Sequence, residues 1–158
     1  MTIAYREFLA TKMSVTISKM VSDDALSLAK IDEVVFGGSF KEDDFLSYID
    51  SNIYFFHVAK IGEKAVGYIG YMIIAGEADI INVGILPEHR GNGIGNMLMD
   101  AMIDECKKNS VTCVHLEVRK SNSVAISLYE KYGFIATGVS KNHYKELTED
   151  AVRMTVSF

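Results

Sequence analysis

The run Arg90-Gly91-Asn92-Gly93-Ile94-Gly95-Asn96 has the residue types and spacing of an anion-binding turn. An apolar stretch over 80–86 leads into it, and Ile94, Met97, Leu98, Ala101 and Ile103 leave it as the apolar face of a helix. Backbone N–H groups at a helix start, with the positive end of the helix dipole behind them, attract a phosphate. Glycines let the backbone turn sharply and come close to the anion. The chemistry on offer is therefore the grip on a phosphate or pyrophosphate. A P-loop would need a lysine after its last glycine, and none follows here. A dinucleotide fingerprint would need glycine where Asn96 stands, in the first strand–turn–helix unit rather than past the middle of the chain. A third spacing, Q/R-x-x-G-x-G/A, is met in full by Arg90, Gly93 and Gly95.

Two further side chains could move protons. Glu117 lies in a period-2 run over 111–118, with Val111, Cys113 and His115 on its face and Thr112, Val114, Leu116 and Val118 on the other. Tyr129 belongs to a helical pattern with Ala125, Leu128 and Tyr132. Asn122 stands about two turns before it on the same helix face, and Ser121 or Asn122 could cap the helix start. A carboxylate can accept a proton and a phenol can donate one. Taken by pattern alone, the same residues fit a strand glutamate paired with Arg119 or a lysine, and a core aromatic. His57, His89, His115 and His143 are scattered without ligand spacing, so no metal is expected and the histidines read as structural or surface residues. Cys106 and Cys113 make no disulfide framework and read as buried thiols.

The segment over 116–134, LEVRKSNSVAISLYEKYGF, together with the glycine loop, closely resembles the GNAT acetyltransferases. More narrowly it is similar to the RimI-type ribosomal-protein alanine N-acetyltransferases. Their pattern L-E-V-R-x-S-N-x-x-A-I-x-L-Y-x-x-x-G-F is matched at Leu116, Glu117, Val118, Arg119, Ser121, Asn122, Ala125, Ile126, Leu128, Tyr129, Gly133 and Phe134. Their N-x-Y…E-D-A-x-x-M ending is matched at Asn142, Tyr144, Glu149, Asp150, Ala151 and Met154. The likeness is strong from about residue 80 onward and weaker before it.

That resemblance implies an α/β (α+β) GNAT fold: a mixed, mostly antiparallel sheet splayed between its fourth and fifth strands, helices on both faces, and acetyl-CoA in the split. Gly91, Asn92, Gly93, Ile94, Gly95 and Asn96 would hold the pyrophosphate through backbone N–H groups, with Arg90 either supporting the loop or approaching a phosphate. Val83, Gly84 and Ile85 would pair with the acetyl-pantetheine arm as a strand does, one N–H serving the thioester oxyanion. Asn122 would hydrogen-bond the arm. Glu117 would be the general base, directly or through water, and Tyr129 the acid that protonates the leaving thiolate. The implied acceptor is the N-terminal alanine of a ribosomal protein. Other amines (another peptide N-terminus, a lysine, a small amine) are the alternative, and an acetyl-CoA-binding module without catalysis is the reading from a different class. The chain departs from the subfamily in two places. Phe36-Gly37-Gly38-Ser39-Phe40 stands where a Pro-Trp-Ser/Thr motif is common, in a chain with no tryptophan, and Asn96 replaces a basic residue after the loop.

These residues need elements to place them. Apolar patterning predicts a strand over 14–20, a helix over 23–35, a loop at Gly37-Gly38 and a helix over 41–50. Strands follow over 54–61, 65–74 and 79–86, joined by turns at Gly62-Glu63 and Ala75-Gly76. After the βα units, strands over 134–144 and 150–158 close a mixed sheet.

The 158 residues fit one domain, 1–158, with residues 1–13 an N-terminal extension or the chain starting instead at Met13. A net charge of −5 argues against direct nucleic-acid binding and suits basic acceptors. The clusters Glu42-Asp43-Asp44 and Glu149-Asp150 read equally as solvated faces. No apolar run reaches the roughly 18 residues of a membrane span, and the charged start of the chain lacks a signal peptide's apolar centre. A cytoplasmic protein, monomeric or weakly dimeric, is the expectation.

Overall fold

The computed structural model describes residues 14–140 in full, the backbone of 141–144, and residues 149–158. The N-terminal segment 1–13 and the side chains of Asn142, His143 and Tyr144 lie outside that description. β1 (Val15–Lys19) is followed by a 3-10 turn (Ser22–Asp24), α1 (Ala25–Phe36) and α2 (Glu42–Ser47). Three strands come next, β2 (Tyr54–Ile61), β3 (Lys64–Ile74) and β4 (Glu77–Ile85). A 3-10 turn (Pro87–His89), α3 (Ile94–Lys108), β5 (Cys113–Arg119), α4 (Ser123–Lys131), β6 (Ile135–Tyr144) and β7 (Glu149–Ser157) complete the order. Helix ends differ from the sequence reading by a few residues. The helix predicted over 41–50 stops at Ser47 because Tyr48 and Ile49 donate back three residues, to Phe45 and Leu46, and tighten the last turn.

The seven strands form one sheet in the order β1-β2-β3-β4-β5-β7-β6. Every pairing is antiparallel except β4 with β5. Hairpin turns account for the first half: Ala75 and Gly76 both have positive φ (53° and 79°), the hand that matches twisted antiparallel strands. The two faces carry separate cores. On one, Leu28, Ile31 and Phe45 from α1 and α2 meet Phe56, Val58 and Tyr68. On the other, Ile94, Leu98, Met99 and Met102 of α3 and Tyr129 of α4 meet Ile69, Tyr71, Val114, Leu116 and Val118. Each strand sends alternate residues to opposite faces, so one run of sequence feeds both cores.

The sheet splits as expected, and the cause is local. β3 pairs Gly70 with Asn82 and Tyr71 with Ile80, leaving Ile81 as an extra residue on β4. Such a bulge bends the strand that carries it. β4 pairs with β5 at Glu77↔Cys113, Ala78↔Val114 and Asp79↔His115, immediately before the bulge. Past it, no residue of β4 is paired with β5. Ile80 to Ile85 therefore presents an edge of backbone toward β5 inside the molecule.

Candidate active site

β4 ends at Ile85, the inner edge of the split, and the chain reaches α3 within a few residues. Gly91 and Gly93 carry φ of +81° and +79°, a region that L side chains avoid, so these glycines are required by the turn itself. Gly93 caps α3, and the first intrahelical bond runs from the Met97 N–H to the Gly93 carbonyl (3.1 Å). The N–H groups of Ile94, Gly95 and Asn96 precede that bond and open the helix. A Cβ on Gly95 would lie 3.3 Å from Leu128 Cδ2, which brings α3 and α4 together here. Arg90 Nε donates to the Ile85 carbonyl at 3.0 Å, which ties the loop back to the end of β4. Of the two roles open to it, support of the loop is the one its contact serves. Asn92 Nδ2 donates to the His89 carbonyl (3.3 Å) and holds the same turn. Asn96 takes the Tyr132 hydroxyl on its carbonyl (2.8 Å), and its side-chain Oδ1 is buried without a hydrogen-bond donor among the described residues.

Val83, Gly84 and Ile85 sit on the β4 segment that has left β5. Gly84 is pressed from behind, since a Cβ there would lie 2.9 Å from the Phe36 ring. Across the split, Glu117 stands on the β5 face that α3 and α4 leave uncovered, and its carboxylate meets Arg153 of β7 at 3.8 Å. The sequence reading offered Arg119 or a lysine as its partner; cross-strand register brings Arg153 to it as well. Tyr129 is 8% exposed, its ring 5.8 Å from that of Phe134. Asn122 is the N-cap of α4, its Oδ1 accepting from the Ala125 N–H at 3.2 Å. That leaves its amide NH2 as the group able to serve a ligand.

The β5–α4 connection is fixed by residues of the C-terminal motif. Glu149 Oε1 accepts the Ser121 N–H at 2.8 Å, and hydrogen bonding from the Ser121 side chain, then from this N–H, holds the carboxyl below its usual range. Ala151 and Met154 are buried and pair with Arg119 and Leu116. Acidic residues that read as possible acceptor contacts thus do local work. Asp44 likewise accepts the Lys41 N–H (2.7 Å) at the start of α2.

Two groups escaped the sequence reading. Asp32, fully buried on α1, accepts from Tyr68 Oη (2.6 Å), Ser39 Oγ (3.0 Å) and the Phe40 N–H (3.0 Å). It fastens the Phe36-to-Phe40 loop against β3 and β4. Its signal was a carboxylate beside Leu28 and Ile31 on the apolar stripe of a helix. The second group corrects two expectations. Cys106 is buried, but Cys113 is half-exposed, and parallel pairing brings Glu77 beside it and His115. The three residues do converge, although nothing in their sequence spacing joins Glu77 to the other two.

A sheet split by a bulge, with a glycine turn and helix start at the end of the split strand, is the architecture of a coenzyme A-dependent acyltransferase. Residues 25–134 match the model of the acetyltransferase (GNAT) family, and the chain belongs to that family. The [ribosomal protein bS18]-alanine N-acetyltransferase of Escherichia coli (strain K12) is 30% identical over 143 residues, 89% of this chain and 96% of that protein. The crystal structure of the ribosomal-protein-S18-alanine N-acetyltransferase from Escherichia coli superposes with a TM-score of 0.81 at 28% identity, covering 90% of this chain and 93% of the other. PaiA N-acetyltransferase of Thermoplasma acidophilum, solved with coenzyme A, shares the fold with a TM-score of 0.71 at 22% identity, over 92% of this chain and 100% of that one. The chain is an acetyl-CoA-dependent N-acetyltransferase, with acetyl-CoA as its cosubstrate. Among the described residues, no helix is long and apolar enough to cross a membrane.

Proposed function

We propose that the acceptor is a protein N-terminus, with the N-terminal alanine of a ribosomal protein first among candidates. The observation that carries this is the 30% identity to the bS18-alanine N-acetyltransferase, which spans 89% of this chain and 96% of that one. In this reading the loop from Arg90 to Asn96 takes the pyrophosphate on its helix-start N–H groups. The unpaired edge of β4 at Val83, Gly84 and Ile85 receives the acetyl-pantetheine arm, and one of its N–H groups stabilises the tetrahedral oxyanion. The acceptor amine approaches over the open face of β5. Glu117 takes its proton, directly or through water, as nitrogen bonds to the acetyl carbon. The C–S bond then breaks, and Tyr129 gives its proton to the coenzyme A thiolate. The Glu117–Arg153 contact is a surface pair worth about 0–1 kcal/mol, so exchanging it for the acceptor's ammonium costs little. Such an enzyme would work in the cytoplasm, where ribosomal proteins are made, and one copy of the chain carries every residue named.

The test is mass spectrometry of products from a panel of N-terminal peptides, a lysine peptide and small amines, each with acetyl-CoA. Acetylation confined to α-amines, fastest with alanine first, is the expected result. Preference for the lysine peptide or a small amine would overturn the acceptor. Turnover of no amine would favour a binding module without catalysis. For the base, Glu117→Gln keeps the side chain's size, and its rate should fall roughly a hundredfold or more while acetyl-CoA affinity holds.

A further inference from the structure

At the closed end of the split, the parallel pairing of β4 with β5 sets Glu77 opposite Cys113 and Asp79 opposite His115. On β5, Cys113 and His115 are two residues apart and share the uncovered face. Cys113 Sγ lies 3.2 Å from Glu77 Oε1 and 3.4 Å from His115 Nε2, and the last two atoms are 3.7 Å apart. A tetrahedral zinc ion bonded at about 2.3 Å to sulfur and about 2.0–2.1 Å to nitrogen and oxygen needs donor–donor edges of roughly 3.3–3.6 Å. All three observed edges fall within about 0.4 Å of that triangle. The donor types fit as well, since a thiolate, an imidazole and a carboxylate are the zinc ligands of proteins. His115 has the outer support that a metal-binding imidazole needs: Nδ1 lies 2.9 Å from Thr155 Oγ1. With the Thr155 hydroxyl as acceptor, the ring proton sits on Nδ1 and the Nε2 lone pair is free for a metal held with the other two donors.

We propose that Glu77, Cys113 and His115 form a zinc site with three protein ligands and a fourth position open to water. Binding removes the thiol proton to solvent and replaces the Cys113–Glu77 hydrogen bond with two bonds to the metal. The ligands come from both sides of the split. Three residue pairs join β4 to β5, and the ion would add a covalent-strength clasp across that joint. The site stands apart from the acyl-transfer machinery, to which none of its ligands belongs.

The probe is Zn2+ itself, titrated into the full chain against a chromophoric chelator, with Co2+ substitution as the spectroscopic reading. One equivalent should bind, and Co2+ should show tetrahedral bands with a thiolate charge-transfer band. One equivalent of Zn2+ should also protect Cys113 from maleimide at least tenfold, Cys106 being fully buried. Cys113→Ala and His115→Ala should abolish these effects, and their melting temperatures without metal show whether they fold. Thr155→Val keeps all three ligands and should weaken zinc by roughly tenfold or more through the loss of the outer hydrogen bond. Absence of stoichiometric binding at micromolar zinc would overturn the proposal. So would binding that survives in folded Cys113→Ala or His115→Ala protein, or Co2+ spectra without the thiolate band.

Discussion

At Tyr129 a core residue and a proposed acid coincide. The ring is 8% exposed and packs at 5.8 Å on Phe134, so it fills its place whatever its hydroxyl does. Tyr129→Phe keeps that packing and removes one oxygen. If the hydroxyl protonates the thiolate, turnover should drop by roughly one to three powers of ten while melting temperature and acetyl-CoA affinity hold. Wild-type turnover would remove the acid role. A fall in stability with normal turnover would mark the hydroxyl as a buried hydrogen-bond partner, stranding of which costs about 1–3 kcal/mol. Asp32 gives the opposite kind of case, a buried carboxylate with a purely positioning duty. Asp32→Ala strands Tyr68 Oη and the Phe40 N–H, so unfolding free energy should fall by about 2–6 kcal/mol, from about 1–3 per stranded group. Because the fastened loop borders Gly84 through Phe36, on the edge proposed for the acetyl-pantetheine arm, KM for acetyl-CoA should rise in Asp32→Asn. An unchanged KM for acetyl-CoA would mean the loop does not shape that edge.

Elements were legible where their period and their punctuation agreed. The β2–β3–β4 meander followed from apolar runs bounded by Gly62-Glu63 and Ala75-Gly76, and the α3 start followed from glycines that the turn needs at positive φ. What escaped is what depends on partners far along the chain. Ile81 looks like any strand isoleucine, and only its register against Gly70 and Tyr71 makes it a bulge. Arg153 becomes a partner of Glu117, and Glu77 a partner of Cys113, through strand pairing that no local pattern states. His57 on β2 is another such case: it is buried, with its Nε2 2.8 Å from Tyr71 Oη on β3. Burial pushes its pKa below the ordinary 6.5, the largest of the influences on it. The folded state therefore binds fewer protons than the unfolded chain once pH falls below about 6.5. Stability should be full above that pH and decline from there toward pH 5.5. Denaturation midpoints across pH 7.5 to 5.5 test this, and His57→Gln, which cannot titrate, should flatten the slope. An unchanged slope would assign the decline to other groups. The Lys19–Glu105 pair, at 2.8 Å, acts in a lower window, because it holds the Glu105 carboxyl below 4.5 and its contribution is lost only in stronger acid.

The molecule as a whole is two half-sheets sharing one joint. β1 to β4 form one half and β5, β7 and β6 the other, linked by three residue pairs and by the α3 and α4 core beneath them. The edge of β4 from Ile80 to Ile85 is thus an unfinished ladder facing inward, and unfinished ladders invite an added strand. If acetyl-CoA inserts its arm there, it stitches the halves together where the protein does not. Ligand at a hundred times its Kd contributes about 2.7 kcal/mol, so the melting temperature of a domain this size should rise by about 5–10 °C. Any tight ligand would do that much, and hydrogen exchange tells where it acts. Amides of β4 that are not bonded to β3 should slow roughly tenfold or more when acetyl-CoA is added, alongside the loop at Gly91 to Asn96. The nucleotide of coenzyme A without its pantetheine arm, 3′-phosphoadenosine 5′-diphosphate, keeps the pyrophosphate and should protect the loop without protecting β4. Protection confined to the loop with intact acetyl-CoA would show that the arm does not complete the sheet, and the oxyanion donor would then have to be sought off β4.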